Sequence, residues 1–151
     1  AERLGSSDRV QVVVADGRAL PLRPASADAV LVDAPCSGIG SLRRRADARW
    51  RIGPDDVVRL AALQRDLVVQ AADLVRPGGV LVYSVCTLLA AETTEVDAHL
   101  AAARPDLVAE PLGEPWEHVG RGGRLAPTIE GSDGMTCFRY RRPGGDLPGD
   151  R

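Results

Sequence analysis

Two stretches of the sequence end in residues that could do covalent chemistry. The first, AVLVDAPCSGIG, covers residues 29–40 and contains Asp33 and Cys36. The second, VLVYSVCTL, covers residues 80–88 and contains Cys86. In both, a run of branched aliphatic residues, typical of a strand buried on two faces, stops at the reactive side chains. The pattern predicts two thiols and a carboxylate beyond the carboxyl ends of two strands.

Two thiols and a carboxylate suit addition to a pyrimidine ring. A thiolate adds to C6 once N3 is protonated or hydrogen-bonded, and C5 then behaves as a carbanion that takes a methyl group. The carboxylic acid would support N3, and the second thiol would help remove the C5 proton so that the adduct collapses. A thiol hydrolase is an alternative, and it would need His99 or His118 within hydrogen-bond reach of a cysteine.

Strands that alternate with helices predict an α/β fold with a mainly parallel sheet. One helix, beginning at Pro54 and ended by the Arg-Pro-Gly-Gly of residues 76–79, connects the two strands that carry the cysteines. Such strands are expected to be parallel neighbours, which would bring Cys36 and Cys86 together. The other expected elements are strands at 10–15 and 136–142, a helix at 90–103, a helix end within 1–9, a loop at 111–134 and a tail at 143–151.

Composition narrows the class of protein. A chain of 151 residues with 44% hydrophobic residues fits one globular domain. No apolar run is long enough to span a membrane and no signal peptide is recognisable, so the sequence is interpreted as cytoplasmic. Three widely spaced cysteines argue against a disulfide framework and against a metal site, and Cys137 is interpreted as a core residue.

The two cysteine stretches carry a family resemblance. DAPCSGIGSLRRRADARW (residues 33–50), followed by YSVCTL (residues 83–88), resembles the Sun/Fmu-type RNA cytosine-5 methyltransferases of the NOL1/NOP2/Sun family, and most of all their bacterial 16S ribosomal RNA enzymes. Residues 12–22 resemble the family's adenine-side strand and turn, and residues 130–142 its closing motif and last strand. The resemblance implies a Rossmann-like class I methyltransferase sheet with an antiparallel last strand, and S-adenosylmethionine-dependent methylation of cytosine C5 in RNA.

The resemblance also implies roles for individual residues. Cys86 matches the catalytic nucleophile and Cys36 the cysteine that assists product release. Asp33 matches the acid that contacts the base and lies near the methionine part of the cofactor, with Pro35 on the cofactor side, and Asp16 matches the acid near the adenine. The chain departs from the family at Val85, which replaces a usual threonine, and at Glu92-Thr93, which replaces a usual glutamate-asparagine.

The family's glycine-rich cofactor turn is missing from the sequence before Val10. Residues 1–142 are therefore interpreted as the carboxyl-terminal part of a longer methyltransferase domain that lacks its first two strands, with the amino-terminal portion as a missing partner. We expect this chain alone to bind S-adenosylmethionine weakly or not at all. A non-catalytic RNA-binding or assembly module with the same fold is the alternative to the enzyme.

An arginine cluster follows the first cysteine. Arg43, Arg44, Arg49 and Trp50 are predicted to contact RNA, the arginines through phosphates and the tryptophan by stacking on a base. The alternative is an ordinary solvated loop. The net charge of −2 does not decide between them, because a net figure averages over local patches.

Overall fold

The computed structural model describes residues 9–127 and 131–144, which form one mixed sheet with two α-helices. The helices are α1 (Pro54–Leu74) and α2 (Thr94–Ala103), and short 3-10 turns cover Ile39–Ser41, Ala46–Trp50 and Ala90–Glu92. The sheet has the order β1-β2-β6-β5-β4, with β3 beside β6. Its strands are β1 (Ala27–Asp33), β2 (Val75–Val85), β3 (Val108–Glu110), β4 (Glu117–Val119), β5 (Gly122–Leu125) and β6 (Met135–Arg141). The helix end expected within residues 1–9, and the tail from residue 145 onward, lie outside the described residues.

The parallel pair of strands that carries the cysteines is confirmed. β1 runs parallel to β2, with Asp33 opposite Ser84, and α1 forms the crossover between them. The helix has the predicted bounds, since it begins at Pro54 and ends at Leu74. Its start is fixed by the carboxylate of Asp56, which accepts a hydrogen bond from the backbone N–H of Gly53 at 3.0 Å.

The four residues expected to end α1 as a turn belong to β2 instead. Ala27 of β1 lies opposite Val75, whereas Ala29 lies opposite Val80, so β2 carries extra residues between the two pairs. Gly78 has a φ of 80° within this bulge, a conformation that favours glycine. The Pro-Gly-Gly signal marked a backbone irregularity correctly, but parallel pairing on both sides of it extends the strand.

One face of the sheet carries the core. Leu81, Tyr83 and Val85 of β2 and Phe138 and Tyr140 of β6 are fully or almost fully buried. They pack in one cluster with apolar residues of both helices. β6 is antiparallel to β2, as the resemblance implied for the last strand, and the Rossmann-like α/β class is confirmed. Within the described residues, the expected parallel pairing is limited to β1 and β2, and the pairs formed by β3 to β6 are antiparallel.

The strand expected at residues 10–15 does not form. Among the described residues it has no partner strand, and Val12 and Val14 are 83% and 100% exposed. β1 pairs with β2 alone, and Leu31 on it is 67% exposed. A β-strand needs a neighbouring strand to share its backbone hydrogen bonds, and the described residues supply none for this segment.

The loop expected at residues 111–134 contains the β4–β5 hairpin, which continues the sheet from β6. The sequence does not predict β5, because the first two residues of this strand are Gly122 and Gly123 and glycine has low strand propensity. The structure supplies a reason for Gly122: a Cβ there would lie 2.5 Å from the ring of Phe138. Likewise, the helix expected from residue 90 begins as a 3-10 turn and becomes α-helical at Thr94. In the described part of the chain, no helix is both long and apolar enough to cross a membrane.

Candidate active site

Two thiols meet at the carboxyl ends of β1 and β2. The Sγ atoms of Cys36 and Cys86 lie 3.3 Å apart, and both cysteines are free and half-buried. The parallel register explains their meeting, because Cys36 follows Asp33 and Cys86 follows Ser84, which lie opposite each other. The predicted proximity is confirmed. Cys137 is buried on β6 and takes no part in the pair.

The environment of Cys36 keeps it protonated. Burial, and then its hydrogen bond with Cys86, raise the pKa of the Cys36 thiol to about 12. Cys36 is therefore a neutral thiol near pH 7, and its S–H can donate toward the sulfur of Cys86. A neutral donor beside a sulfur stabilises negative charge there, which is what a cysteine nucleophile needs.

Behind the thiols lies a buried carboxylate, that of Glu92. It is 0% exposed and accepts hydrogen bonds from the backbone N–H of Ser37 at 2.8 Å, the hydroxyl of Ser37 at 2.5 Å and the amide of Gln64 at 3.1 Å. The Ser37 hydroxyl also lies 3.1 Å from that of Thr87. The hydroxyl of Tyr83 donates to the backbone carbonyl of Glu92 at 2.7 Å. These bonds tie the residues that follow the two cysteines into one buried polar cluster.

Sequence reasoning assigned no role to this cluster, although one signal was available. Gln64 lies four residues after Leu60 and four before Val68, on the inner face of α1, where a polar residue is unusual. For Glu92, the only signal in the sequence is its place in the family pattern. Neither residue could be linked to the cysteines without the fold, because Ser37 and Glu92 are 55 residues apart in sequence.

A close backbone approach holds the turn that follows Cys36. The N–H of Gly40 donates to the carbonyl of Cys86 at 3.0 Å, and the N–H of Gly134 donates to the carbonyl of Gly40 at 2.8 Å. A Cβ on Gly40 would lie 2.1 Å from the carbonyl oxygen of Gly134. Both cysteine segments and the segment before β6 therefore meet at a point that has room only for glycine.

Asp33 and Pro35, two of the predicted cofactor-binding residues, lie in the segment that leads to Cys36. Asp33 is exposed at the end of β1, and the exposed Pro35 accepts a hydrogen bond at its carbonyl from Gln64 at 2.8 Å. Asp33 lines a cavity of about 240 Å³ with Gly17 and with apolar residues of β1 and α1, among them Val30, Val32, Leu67 and Ala71. This cavity is smaller than the roughly 300–1,000 Å³ of most ligand pockets. The described residues thus form a small, open cavity beside Asp33.

Asp16 is exposed and already has a partner. Its carboxylate accepts hydrogen bonds from the guanidinium of Arg18 at 2.7 to 3.2 Å. These bonds, and one from the backbone of Arg18, lower the pKa of Asp16 to about 2. The neighbouring Gly17 lines the cavity with Asp33, so the turn lies at the expected cavity while the Asp16 side chain is bound to Arg18.

The predicted RNA-contacting residues divide into two groups. Arg43 donates a hydrogen bond to the carbonyl of Gly131, and Arg44 forms an ion pair with Asp133 at 3.3 Å. Arg49 and Trp50 are exposed, Trp50 by 84%, and within the described residues neither has a hydrogen-bond, ion-pair or ring partner. The first two arginines therefore fasten the loop to the segment before β6, and the last two residues remain available.

In residues 9–127 and 131–144 there is no group of three or more histidine, cysteine, aspartate or glutamate side chains that could hold a metal ion.

Two solved structures share the fold of this chain. The crystal structure of NSun6 from Pyrococcus horikoshii, solved with SFG, covers 95% of this chain with a TM-score of 0.78 and 28% identity, and 37% of that protein is matched. The crystal structure of PH0851 covers 78% of this chain and 27% of that protein, with a TM-score of 0.74 and 29% identity. The sheet with its crossover helix and end-of-strand cysteines defines a Rossmann-like methyltransferase of the Sun type.

Comparison with related sequences identifies the family within this class of methyltransferases. A family model described as 16S rRNA methyltransferase RsmB/F matches residues 1–139. The ribosomal RNA small subunit methyltransferase B of Thermus thermophilus is 40% identical over 119 residues, which are 79% of this chain and 29% of that protein. A putative methyltransferase of Mycobacterium tuberculosis is 44% identical over 138 residues, 88% of this chain and 30% of that protein. The chain belongs to the 16S rRNA methyltransferase RsmB/F family, and it spans about 30% of the length of these relatives.

Proposed function

We propose that this chain carries the catalytic cysteines of an S-adenosylmethionine-dependent enzyme that methylates C5 of a cytosine in 16S ribosomal RNA. The observation that supports this most is the 3.3 Å contact between the Cys36 and Cys86 sulfurs, at the carboxyl ends of two parallel strands. Ligands of open α/β sheets bind at that edge. Family membership supports the rRNA substrate, since the family model is described as 16S rRNA methyltransferase and the Thermus thermophilus relative as a ribosomal RNA small subunit methyltransferase.

Cys86 is the nucleophile of this proposal. Its sulfur forms a bond to C6 of the cytosine while N3 takes a proton or a hydrogen bond from the carboxylic acid of Asp33, and C5 gains the electron pair. The target base has to leave its stack to reach the sulfur, as it does for other enzymes that modify bases. Asp33 is exposed at the end of β1, beside the segment that carries Cys36, where a flipped base can reach it.

Cys36 serves the second half of the reaction. Once C5 carries the methyl group, a base removes the C5 proton, the bond between C6 and the Cys86 sulfur breaks, and the ring regains its double bond. The pKa of about 12 makes a deprotonated Cys36 a strong proton acceptor. Cys36 therefore has to give its own proton to solvent after the base has bound, and it passes the C5 proton to solvent after the Cys86 thiolate has left. Before it loses its own proton, its S–H supports the negative charge on Cys86.

The cofactor supplies an electrophilic methyl group. Asp33 and Pro35 would lie on its methionine side and the turn of Asp16 on its adenine side, around the cavity that Gly17 and Asp33 line. The use of S-adenosylmethionine is supported by the NSun6 neighbour, whose structure holds SFG, an analogue of that cofactor. The 240 Å³ cavity is part of the pocket, and the carboxylate of Asp16 would have to loosen from Arg18 to reach a ligand.

Arg49 and Trp50 are the residues proposed to bind RNA directly. Both are exposed on the 3-10 turn Ala46–Trp50, which follows the cysteine loop. Arg43 and Arg44 are proposed to hold this loop in place through Gly131 and Asp133, and they reach phosphates only where RNA competes with those partners.

The experiment that tests this proposal compares two cysteine variants of the full-length protein with rRNA and S-adenosylmethionine. Cys36→Ala should accumulate a covalent RNA–protein adduct that survives denaturing electrophoresis, because attack by Cys86 proceeds and release does not. Cys86→Ala should form none, and Cys137→Ala should behave as the unchanged protein. Equal adduct yields from Cys36→Ala and Cys86→Ala would contradict the proposal. Absence of both adduct and methyl transfer in the unchanged protein would favour the non-catalytic RNA-binding module.

A further inference from the structure

The carboxylate of Glu92 is completely buried, and all of its hydrogen bonds come from neutral groups. Its oxygens accept from Ser37 twice and from Gln64 once, and within the described residues no arginine or histidine pairs with it. A buried carboxylate without a cationic partner costs free energy unless its lone pairs are satisfied. The Ser37 N–H and the Gln64 amide, which can only donate, meet at one oxygen of Glu92, and the Ser37 hydroxyl, which can donate or accept, meets the other.

These hydrogen bonds reach the Cys36 loop on both sides of the thiol. Ser37 follows Cys36 directly, and both its N–H and its hydroxyl donate to Glu92. Pro35 precedes Cys36, and its carbonyl accepts from the same Gln64 amide that donates to Glu92. The loop is therefore fixed immediately before and immediately after the cysteine.

The same network reaches the segment of Cys86. Thr87 follows Cys86, and its hydroxyl lies 3.1 Å from that of Ser37. Its carbonyl accepts a hydrogen bond from the hydroxyl of Thr136 on β6 at 2.8 Å. Glu92 itself lies on the 3-10 turn after Cys86, and its backbone carbonyl is held by Tyr83 of β2. One buried side chain thus links the segments that set the distance between the two sulfurs.

We propose that Glu92 is a positioning residue that holds the Cys36 thiol against Cys86 for the release step. This inference rests on the proposed function for its catalytic consequence, whereas its geometric part concerns the two sulfurs alone. Glu92 touches neither sulfur, and it acts through Ser37. Loss of its acceptors would free the Cys36 loop while leaving Cys86 on the end of β2.

Three variants separate positioning from stability. Glu92→Ala removes every acceptor, and Ser37→Ala removes one hydrogen bond with less risk to folding. Glu92→Gln keeps an oxygen for the Ser37 N–H and the Gln64 amide, and its own amide can donate to the Ser37 hydroxyl, so it should restore the network. Asp97→Ala is the matched control, because Asp97 is a second buried carboxylate, and it binds Arg121 and Tyr140 instead of the cysteine segments.

The geometric part is tested on the 151-residue chain itself with phenylarsine oxide, whose arsenic binds two neighbouring thiols. In a Cys137→Ala background, Glu92→Ala should weaken arsenical binding at least about tenfold, the scale of a lost hydrogen bond to a buried charged group. Ser37→Ala should weaken it less, and Glu92→Gln and Asp97→Ala should leave it unchanged. If circular dichroism shows that Glu92→Ala is unfolded, the weaker arsenical binding expected of Ser37→Ala becomes the test. Unchanged binding in the folded variants would overturn the inference.

The catalytic part is tested by adduct formation in the full-length protein. Glu92→Ala should accumulate the covalent RNA adduct at least about tenfold above the unchanged protein, as Cys36→Ala does, since attack continues and release slows. Asp97→Ala, which leaves the thiol pair in place, keeps attack and release in step and should accumulate no adduct. Adduct in Cys36→Ala but none in Glu92→Ala would refute the role of Glu92 and leave the proposed function standing. No adduct in Cys36→Ala would refute the proposed function. The phenylarsine oxide measurement would then still show whether Glu92 positions the two thiols.

Discussion

Cys36 owes its chemical state to its surroundings. Burial is the main cause that raises its pKa to about 12, and the hydrogen bond with Cys86 is the second. The fold thus keeps one member of the thiol pair neutral over the physiological range, as a donor toward the other. The sequence could predict that the two cysteines meet, because strand order and crossover follow from pattern. It could not predict the protonation of Cys36, because desolvation depends on residues that pack from elsewhere in the chain.

The protonation of Cys36 can be measured by its reaction with iodoacetamide. Peptide mass spectrometry of the unchanged chain distinguishes Cys36 from Cys86 and Cys137, and the initial rate of Cys36 alkylation should rise about tenfold per pH unit from pH 7 to pH 10 without levelling. In urea the rate should level near the ordinary thiol pKa of 9.0. Because the folded pKa is raised, the thiol contributes to stability fully below pH 9 and loses that contribution as the pH rises toward 12. A plateau below pH 9 in the folded chain would show that Cys36 is not held neutral.

At the scale of elements, the site depends on a glycine contact between two turns. The 3-10 turn Ile39–Ser41, after Cys36, and the residues before β6 approach so closely that Gly40 and Gly134 exchange backbone contacts. Through Gly40 the turn also binds the carbonyl of Cys86. The two cysteine segments are therefore held by the glycine backbones of these turns and also by the buried polar cluster around Glu92.

Gly40→Ala should destabilise the chain by about 3 kcal/mol, because the new Cβ would overlap the carbonyl of Gly134 and break the backbone hydrogen bonds around it. Urea denaturation followed by circular dichroism measures the change. Gly113→Ala is the matched control, since a Cβ at Gly113 meets nothing within 4 Å, and its effect should stay within about 0.5 kcal/mol. Equal stabilities of the two variants would mean that the close approach is not required.

Elements with strong local signals could be predicted from the sequence. The bounds of α1 follow from its proline, its first-turn acids and its apolar period, and β2 and β6 follow from their aliphatic and alternating residues. The strand expected at residues 10–15 was wrong because strand formation depends on a neighbour as well as on propensity. The β4–β5 hairpin was missed because its strands are short and glycine-rich, and their pairing with β6 decides their conformation.

At the scale of the whole chain, the outer edge of β1 and the turn that carries Arg49 and Trp50 are exposed. The edge of β1 is unpaired within the described residues, and a small open cavity lies beside it. The exposed Arg49 and Trp50 lie on the turn after the cysteine loop. The chain spans about 30% of the length of its relatives, so the activity of the whole protein is a proposal from this part.

The role of Arg49 is tested by the salt dependence of RNA binding. Arg49→Ala in the full-length protein should weaken binding and lower the slope of log K against log salt by about 0.7–0.9, the value of one phosphate contact. Arg59→Ala is the control, because Arg59 is an exposed arginine on α1 that pairs with Asp56. An unchanged slope in Arg49→Ala, or an equal change in both variants, would contradict a specific contact.

The central claim is that Cys86 adds to C6 of a cytosine so that C5 is methylated. The measurement that tests it most directly uses rRNA labelled with tritium at C5 of its cytosines. Methylation at C5 has to expel the hydrogen held there. With the full-length protein and S-adenosylmethionine, we predict that tritium is released in step with methyl incorporation, and that Cys86→Ala abolishes both. Methyl incorporation with all of the tritium retained would place the methyl group on another atom and contradict the account.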